Sequence, residues 1–251
     1  MKKWFAFTAI FLSSYLAFLV ATLPLALVIN TVELPKYVKV GTVSGSIWQG
    51  EVTHLTVNNN QIQQIKSQLS FWSLLSLSPK VQVTFGDAML AGAEGKFTLT
   101  VSSKELILND VELFVAANDI AKQLPLPIPV TAQGSVELFF TELNLNIADK
   151  LTCQSAQGHV SWLRSGVVAL NNNIKLGNVS ADMHCEQGDL MATILPTNNL
   201  GLSFNARLSL AQQRASGQGY LKPGAKFPAQ LKSVLSFLGR PDNQGRYQLN
   251  F

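Results

Sequence analysis

The residues that could do chemistry in this sequence are few and widely separated. Its only histidines are His54, His159 and His184, and its only cysteines are Cys153 and Cys185. A histidine lies near each cysteine, which raises a zinc site, but neither a CxxC nor an HxxxH spacing occurs. HExxH, GxSxG, GxGxxG and P-loop patterns are also absent from the sequence. A catalytic triad would have to come from distant residues, so we predict no catalytic, cofactor-binding or metal site.

The N-terminal segment determines where the rest of the chain lies. Residues 4–29 contain no charge, and Lys2 and Lys3 precede them. As a helix rising ~1.5 Å per residue, this run would be about 39 Å long, and a bilayer core is about 30 Å thick. The positive-inside rule then predicts residues 1–3 in the cytoplasm, a transmembrane helix over 4–29 and residues 30–251 outside. The alternative is a cleaved signal peptide, which the long apolar run disfavours.

Both an anchor and a signal peptide would place the rest of the chain, with its two cysteines, outside the cytoplasm. Disulfides form and persist outside the cytoplasm. Cys153 and Cys185 are the only available pair, so we predict that they are joined. Closing a loop of about 32 residues would be worth on the order of 3–4 kcal/mol in the chain-entropy account.

Period-two alternation of apolar and polar residues dominates the sequence after residue 35. Such alternation puts successive apolar side chains on one face of a strand. The clearest runs are residues 81–85, 97–101, 111–115, 136–140, 143–147, 202–210 and 247–251. Clusters of Asn, Gly and Ser separate them, as is typical of turns. The sequence therefore predicts an all-β domain over residues 30–251, a mostly antiparallel, repetitive β-sheet or sandwich.

Three segments interrupt the alternation. Residues 71–77, FWSLLSL, are short and helical in character, and residues 228–239 place apolar side chains at the spacing of an amphipathic helix. The segment LPLPIPV, residues 124–130, cannot donate ladder hydrogen bonds at its prolines. We therefore predict two β halves bridged near residues 121–131.

The charge content of the chain favours a membrane connection and argues against nucleic acid as a partner. Charged residues make up 14% of the chain, against about 25% in soluble domains, which favours a membrane connection. The net charge is +4, from 19 basic and 15 acidic residues, and without Lys2 and Lys3 it is 17 minus 15, or +2. A nearly neutral exported domain predicts no nucleic-acid partner.

Residues 38–57, VKVGTVSGSIWQGEVTHLTV, have the most individual character. Gly41, Gly45 and Gly50 surround Trp48 in a strand-like context. Glycines permit bulges or close backbone approach, and a tryptophan supplies a large apolar contact. A core tryptophan at a tight sheet corner is the favoured interpretation, and a binding role is the alternative.

A weaker echo of this segment occurs later in the chain. Gly158 is followed four residues later by Trp162, and both lie near Cys153. Like the earlier glycines and tryptophan, they are predicted to have structural or interface roles.

These motifs together resemble the N protein family of bacterial type II secretion systems. The resemblance rests on VSGSIWQG (43–50), AQGHVSW (156–162), SADMHC (180–185) and GRYQLNF (245–251), after one N-terminal apolar helix. It implies a single-pass inner-membrane subunit with a periplasmic β domain that helps export folded proteins. It also implies other inner-membrane secretion subunits and the phospholipid bilayer as partners, and it supplies no catalytic residues.

The function predicted from the sequence is therefore a non-enzymatic assembly subunit, which would contact partners through exposed strand edges. The chain resembles AsmA-like envelope proteins more faintly. That second resemblance implies a lipid or hydrophobic-ligand carrier with an apolar β groove.

Overall fold

Antiparallel strands make up most of the protein. A computed structural model describes residues 2–31, 34–35, 37–57, 60–87, 92–123, 130–169 and 172–250. The chain divides into two units, Met1–Ala91 and Gly92–Phe251. The predicted all-β, antiparallel fold class is confirmed. Part of the predicted bridge, residues 124–129, lies outside the described residues, so two halves meeting there stay a prediction.

The first unit combines one 20-residue helix and two short ones with a small sheet. Its helices are α1 (Lys2–Ala21), α2 (Leu25–Thr31) and α3 (Phe71–Leu75). Its strands are β1 (Val38–Val40), β2 (Val43–Gly45), β3 (Gln49–Val57), β4 (Asn60–Leu69) and β5 (Lys80–Phe85). One edge of β3 pairs with both β1 and β2, and β4 lies between β3 and β5.

The break between α1 and α2 has a local cause. α1 ends at Ala21, and Pro24 follows. A proline cannot donate to the helix ladder and disfavours helical geometry in the residue before it, so the helix stops and restarts at Leu25. Within the described residues, none of the helices has the length and apolar character that a membrane crossing requires.

The second unit is a larger antiparallel sheet in which each strand pairs with the next one along the chain. Its strands are β6 (Glu94–Val101), β7 (Glu105–Ala116), β8 (Thr131–Asn146), β9 (Thr152–Ala169), β10 (Asn172–Glu186), β11 (Asp189–Ile194), β12 (Leu202–Ser209), β13 (Arg214–Leu221) and β14 (Tyr247–Asn250). Helix α4 (Ala117–Ala121) follows β7, and a 3-10 helix covers Ala229–Leu238.

The structure differs from the sequence-based prediction at two places. Residues 136–140 and 143–147, predicted as separate runs, lie mostly in the single strand β8. Irregularities in its pairing with β9 reset the register, one of them at Gly134, whose φ of +91° suits glycine. The segment predicted as an amphipathic helix over 228–239 is a 3-10 helix, in which side chains repeat every three residues.

Few side chains of the described residues are deeply buried. The buried apolar residues among those described are Val52, Ala117, Ala132, Phe140, Cys153, Ile174, Leu176, Ala181 and Phe227. Most of them belong to the long strands of the second unit. Because such a core is thin, ladder hydrogen bonds and cross-strand contacts must carry much of the stability.

The second unit also contains a covalent link. Cys153 of β9 and Cys185 of β10 form a disulfide, with Cα atoms 5.5 Å apart. The β9–β10 pairing ends at Gly158 and Met183. The disulfide therefore ties the two strands together beyond the end of their hydrogen-bonded ladder.

Candidate functional site

The loop between β2 and β3 faces the C-terminal end of α1. Gly45 has a φ of +83°, a conformation that favours glycine, and a Cβ there would overlap the Gln49 main chain. The N–H of Ser46 donates to the carbonyl of Gln49 at 3.0 Å and closes the turn. This tight turn places Ile47 and Trp48 within hydrogen-bond distance of residues 20–23.

Two hydrogen bonds and a β-bridge join this loop to the C-terminal end of α1 and the residues just after it. Trp48 Nε1 donates to the carbonyl of Val20 at 3.0 Å, and the N–H of Ile47 donates to the carbonyl of Leu23 at 3.0 Å. Pro24 and Ser46 form an isolated antiparallel bridge. The last carbonyls of a helix have no partner within the helix. The indole gives the Val20 carbonyl a second donor, closer than the N–H of Leu23 at 3.5 Å, and the loop supplies a donor to the carbonyl of Leu23 just after α1.

Apolar packing accompanies these bonds. The rings of Trp48 and Phe71 lie 5.5 Å apart at 50°. Gly50 is buried, and a Cβ there would overlap the Leu25 side chain of α2. A cavity of about 420 Å³ is lined by Leu16, Ala17, Val20, Ala21, Trp48 and Phe71. We call this arrangement the helix junction: residues 20–25, the loop 45–50 and Phe71.

Gly41 lies just outside the helix junction, where the chain passes from β1 to β2. Its N–H donates to the carbonyl of His54 at 2.8 Å, and a Cβ there would overlap the imidazole. His54 Nδ1 is also 3.1 Å from Thr53 Oγ1. Gly41 thus lets the chain lie close to His54, which has a structural place in the sheet.

The remaining predicted residues lie in the second unit. Trp162 Nε1 donates to the carbonyl of Gln133 at 2.8 Å, so both tryptophans bind a main-chain oxygen of another segment. Gly158 lies opposite Phe140 in the β8–β9 ladder, and the neighbouring His159 stacks on Phe139 with ring centroids 5.1 Å apart. The structure therefore places Gly45, Trp48 and Gly50 in the helix junction. Gly158 and Trp162 instead pack between strands of the second unit.

The close packing at Gly158 leads to a prediction with a matched control. A Cβ at Gly158 would overlap the Phe140 ring and the Phe139 carbonyl, whereas a Cβ at Gly224 would meet nothing within 4 Å. We expect Gly158→Ala to lower the free energy of unfolding of the second unit by about 1–3 kcal/mol, as overpacking does. Gly224→Ala should leave it nearly unchanged. Chemical denaturation measures both, and equal stabilities would contradict the packing argument.

The chemistry available elsewhere in the described residues is limited. They contain no group of three His, Cys, Asp or Glu side chains placed to hold a metal ion. A cavity of about 550 Å³ on β10–β13 is lined by ten residues, most of them polar, among them His184, Glu186, Asn205 and Arg207. Arg207 lies 3.1 Å from Asp189 in an ion pair. The helix junction, in contrast, is built to hold a helix against a sheet.

Sequence reasoning missed the partners of Trp48. The structure shows a half-buried tryptophan that reaches a helix 28 residues away, rather than a core tryptophan at a sheet corner. The indole binds the main-chain carbonyl of Val20, and the neighbouring Ile47 amide binds that of Leu23. Neither carbonyl carries a residue-type signature. Pro24 was the one available indication, because it predicts that the helix ends near this point.

Fold and site together define a class: an antiparallel β protein whose apolar N-terminal helix is fastened to the first sheet by a tryptophan-bearing loop. The sequence model of the type II secretion system (T2SS) protein N family matches residues 36–250. The chain belongs to that family.

Relatives of known name agree with this assignment. The chain is 31% identical to a type II secretion system protein N of Aeromonas hydrophila, over 100% of this chain and 98% of the relative. It is 26% identical to one of Vibrio cholerae serotype O1, with the same coverage. A third, from Pectobacterium carotovorum, is 25% identical over 95% of this chain and 92% of its own. No solved structure matches the chain.

Proposed function

We propose that the chain is a non-enzymatic inner-membrane subunit of the type II secretion pathway that supports export of folded proteins from the periplasm. The observation that carries this proposal is the family match over residues 36–250, together with relatives aligned over nearly their whole length. These relatives are named for the secretion system, which makes its other subunits the partners we expect.

The proposed topology follows from charge and chemistry. Residues 1–3 lie in the cytoplasm, residues 4–29 form the membrane anchor and residues 30–251 form the periplasmic part. The anchor is the whole uncharged run, which begins after Lys2 and Lys3 and contains residues 4–21 of α1. Phe7, Phe11 and Phe18 on α1 are 64–73% exposed, as lipid-facing side chains should be. The disulfide supports a periplasmic location, because that compartment is oxidising.

A strand edge offers a means of contact with partners. β14 pairs with β13, and in the described part of the chain no strand pairs with its other edge. The turn before β14 is fixed by Asp242, which accepts hydrogen bonds from the backbone N–H of Arg246 at 2.9 Å and from its Nε at 2.8 Å. The backbone bond in particular lowers the pKa of the Asp242 carboxyl. An exposed edge held in this way can pair with a partner's strand.

The first experiment tests the pathway and the contact together. In the native host, we expect deletion of the chain to leave type II substrates in the periplasm, and the full chain to restore export. Benzoylphenylalanine at Gln248 of β14 should form adducts with secretion subunits on irradiation. Gln218, on the inner strand β13 and also exposed, is the matched control and should form fewer.

The outcomes separate the two functions considered. Retained substrates with secretion-subunit adducts support the proposal. Normal export after deletion, with phospholipid as the dominant adduct at Gln248, would overturn it in favour of a lipid carrier.

A further inference from the structure

The connection between β4 and β5 exposes an unusual amount of apolar surface. Residues 71–77, which we call the α3 loop, comprise α3 and the turn after it. Within this loop Phe71 is 55% exposed, Trp72 76% and Leu77 87%. Leu77 has a φ of +55°, which is costly for a leucine. A loop that keeps three large apolar side chains in solvent requires a partner surface.

The α3 loop lies beside the exit of α1. Phe71 contacts Trp48, whose indole is bonded to Val20, and Phe71 shares a cavity with four residues in the last two turns of the helix. The N–H of Leu69, just before the loop, donates to the carbonyl of Trp48 at 3.1 Å. The apolar side chains of the loop are therefore continuous with the C-terminal end of α1, which belongs to the proposed membrane anchor.

The serines of the loop are hydrogen-bonded to main-chain groups in the loop and beside it. Ser73 Oγ donates to the carbonyl of Ser70 at 2.6 Å and accepts the N–H of Lys80 at 2.8 Å. Ser76 Oγ donates to the carbonyl of Ser73 at 2.8 Å, and the N–H of Leu77 donates to the carbonyl of Leu74 at 3.1 Å. Each of these hydrogen bonds lowers the cost of moving the loop out of water, because a polar group without a partner is costly inside a membrane.

The charge pattern also fits a bilayer interface. Residues 67–79 contain no charge, and lysines stand at both ends, Lys66 and Lys80, each exposed. Cations that flank an apolar segment match the anionic headgroups of a membrane surface. Tryptophan, with an apolar body and one N–H donor, is enriched at the level of the headgroups.

We propose that the α3 loop inserts Phe71, Trp72 and Leu77 into the outer leaflet of the bilayer that α1 enters. This rests on the proposed anchor, since the loop is held against the exit of α1. The C-terminal end of α1 is then held by the hydrogen bond from Trp48, and the neighbouring α3 loop is held by its contacts with lipid. We call Trp48 and the membrane-inserted α3 loop together the collar. The collar fixes the tilt of the sheet of the first unit at the membrane surface.

The test uses benzoylphenylalanine at one position per variant of the full chain, irradiated in native membranes. Trp72 is the test position, and Leu77 is a second one because its exposed side chain tolerates replacement. Phe11, on α1 and 73% exposed, reports on the anchor alone. Gln61, exposed at the far end of β4, is about 25–30 Å along the strand from the loop and is the control outside the bilayer.

We expect phospholipid adducts at Phe11, Trp72 and Leu77, and none above background at Gln61. Adducts at Phe11 with none at Trp72 and Leu77 would overturn the collar and leave the anchor intact. Protein adducts in place of lipid at Trp72 and Leu77 would overturn it equally. No lipid adduct at Phe11 would show that the anchor itself has failed, and the collar with it.

Discussion

Removal of the Cys153–Cys185 disulfide should lower the free energy of unfolding of the second unit by about 3–4 kcal/mol. The link closes a loop of 32 residues and holds β9 to β10 beyond the end of their ladder. In the chain-entropy account, the loss comes from the greater freedom of the unfolded chain once the loop is open. A unit of this size should then melt roughly 10 °C lower. Calorimetry of the double variant Cys153→Ser/Cys185→Ser measures it.

Hydrogen exchange gives a sharper readout and an internal control. The slowest amides of β9 and β10 should exchange roughly two to three orders of magnitude faster, since each 1.4 kcal/mol is tenfold. Amides of β3 and β4 should not change, because the first unit contains no cysteine. Dithiothreitol should reproduce the effect in the unsubstituted chain and add nothing to the double variant. Equal melting of the oxidised and reduced chains would contradict the prediction.

The fold class could be predicted from the sequence because strand periodicity is a local property. Residues 97–101 alternate and lie in β6, and the alternating run 202–210 lies in β12 except for its last residue. The joining of two runs into β8 could not be predicted in the same way. Irregular pairings with β9 accommodate the residues between the runs, and a bulge depends on the neighbouring strand as much as on its own sequence.

The site was predictable only in part, for a related reason. The glycines around Trp48 indicated close backbone approach, and Gly45 and Gly50 make it. What they approach was not visible, since Trp48 and Ile47 bind main-chain carbonyls, which every residue has. The 3-10 geometry at Ala229–Leu238 was hidden as well, because its apolar spacing also fits an α-helix.

Removal of the Trp48 indole should loosen the helix junction without unfolding the sheet. Trp48→Phe keeps a ring near Phe71 but loses the N–H bonded to Val20. One neutral hydrogen bond contributes about 1 kcal/mol, so the Ile47 amide, which donates to Leu23, should exchange about fivefold faster. Trp48→Ala also loses the ring contact, worth about 0.5–1.5 kcal/mol beyond the buried area. Exchange should then rise roughly a hundredfold. Truncating a fully buried tryptophan costs about 3–5 kcal/mol, and half-burial makes this loss smaller.

Trp72 supplies the matched control for this prediction. It lies next to Phe71 and is 76% exposed, and Trp72→Phe and Trp72→Ala make the same chemical changes outside the helix junction. Neither should alter exchange of the Ile47 amide in detergent micelles. The β3–β4 ladder should stay protected in all four variants, which separates a loosened junction from an unfolded unit. If Trp48→Phe leaves Ile47 exchange unchanged while Trp48→Ala raises it, the aromatic contact alone holds the helix, and the hydrogen bond to Val20 contributes nothing. If the two Trp72 variants speed Ile47 exchange as much as the Trp48 variants do, the indole of Trp48 has no special place at the end of α1.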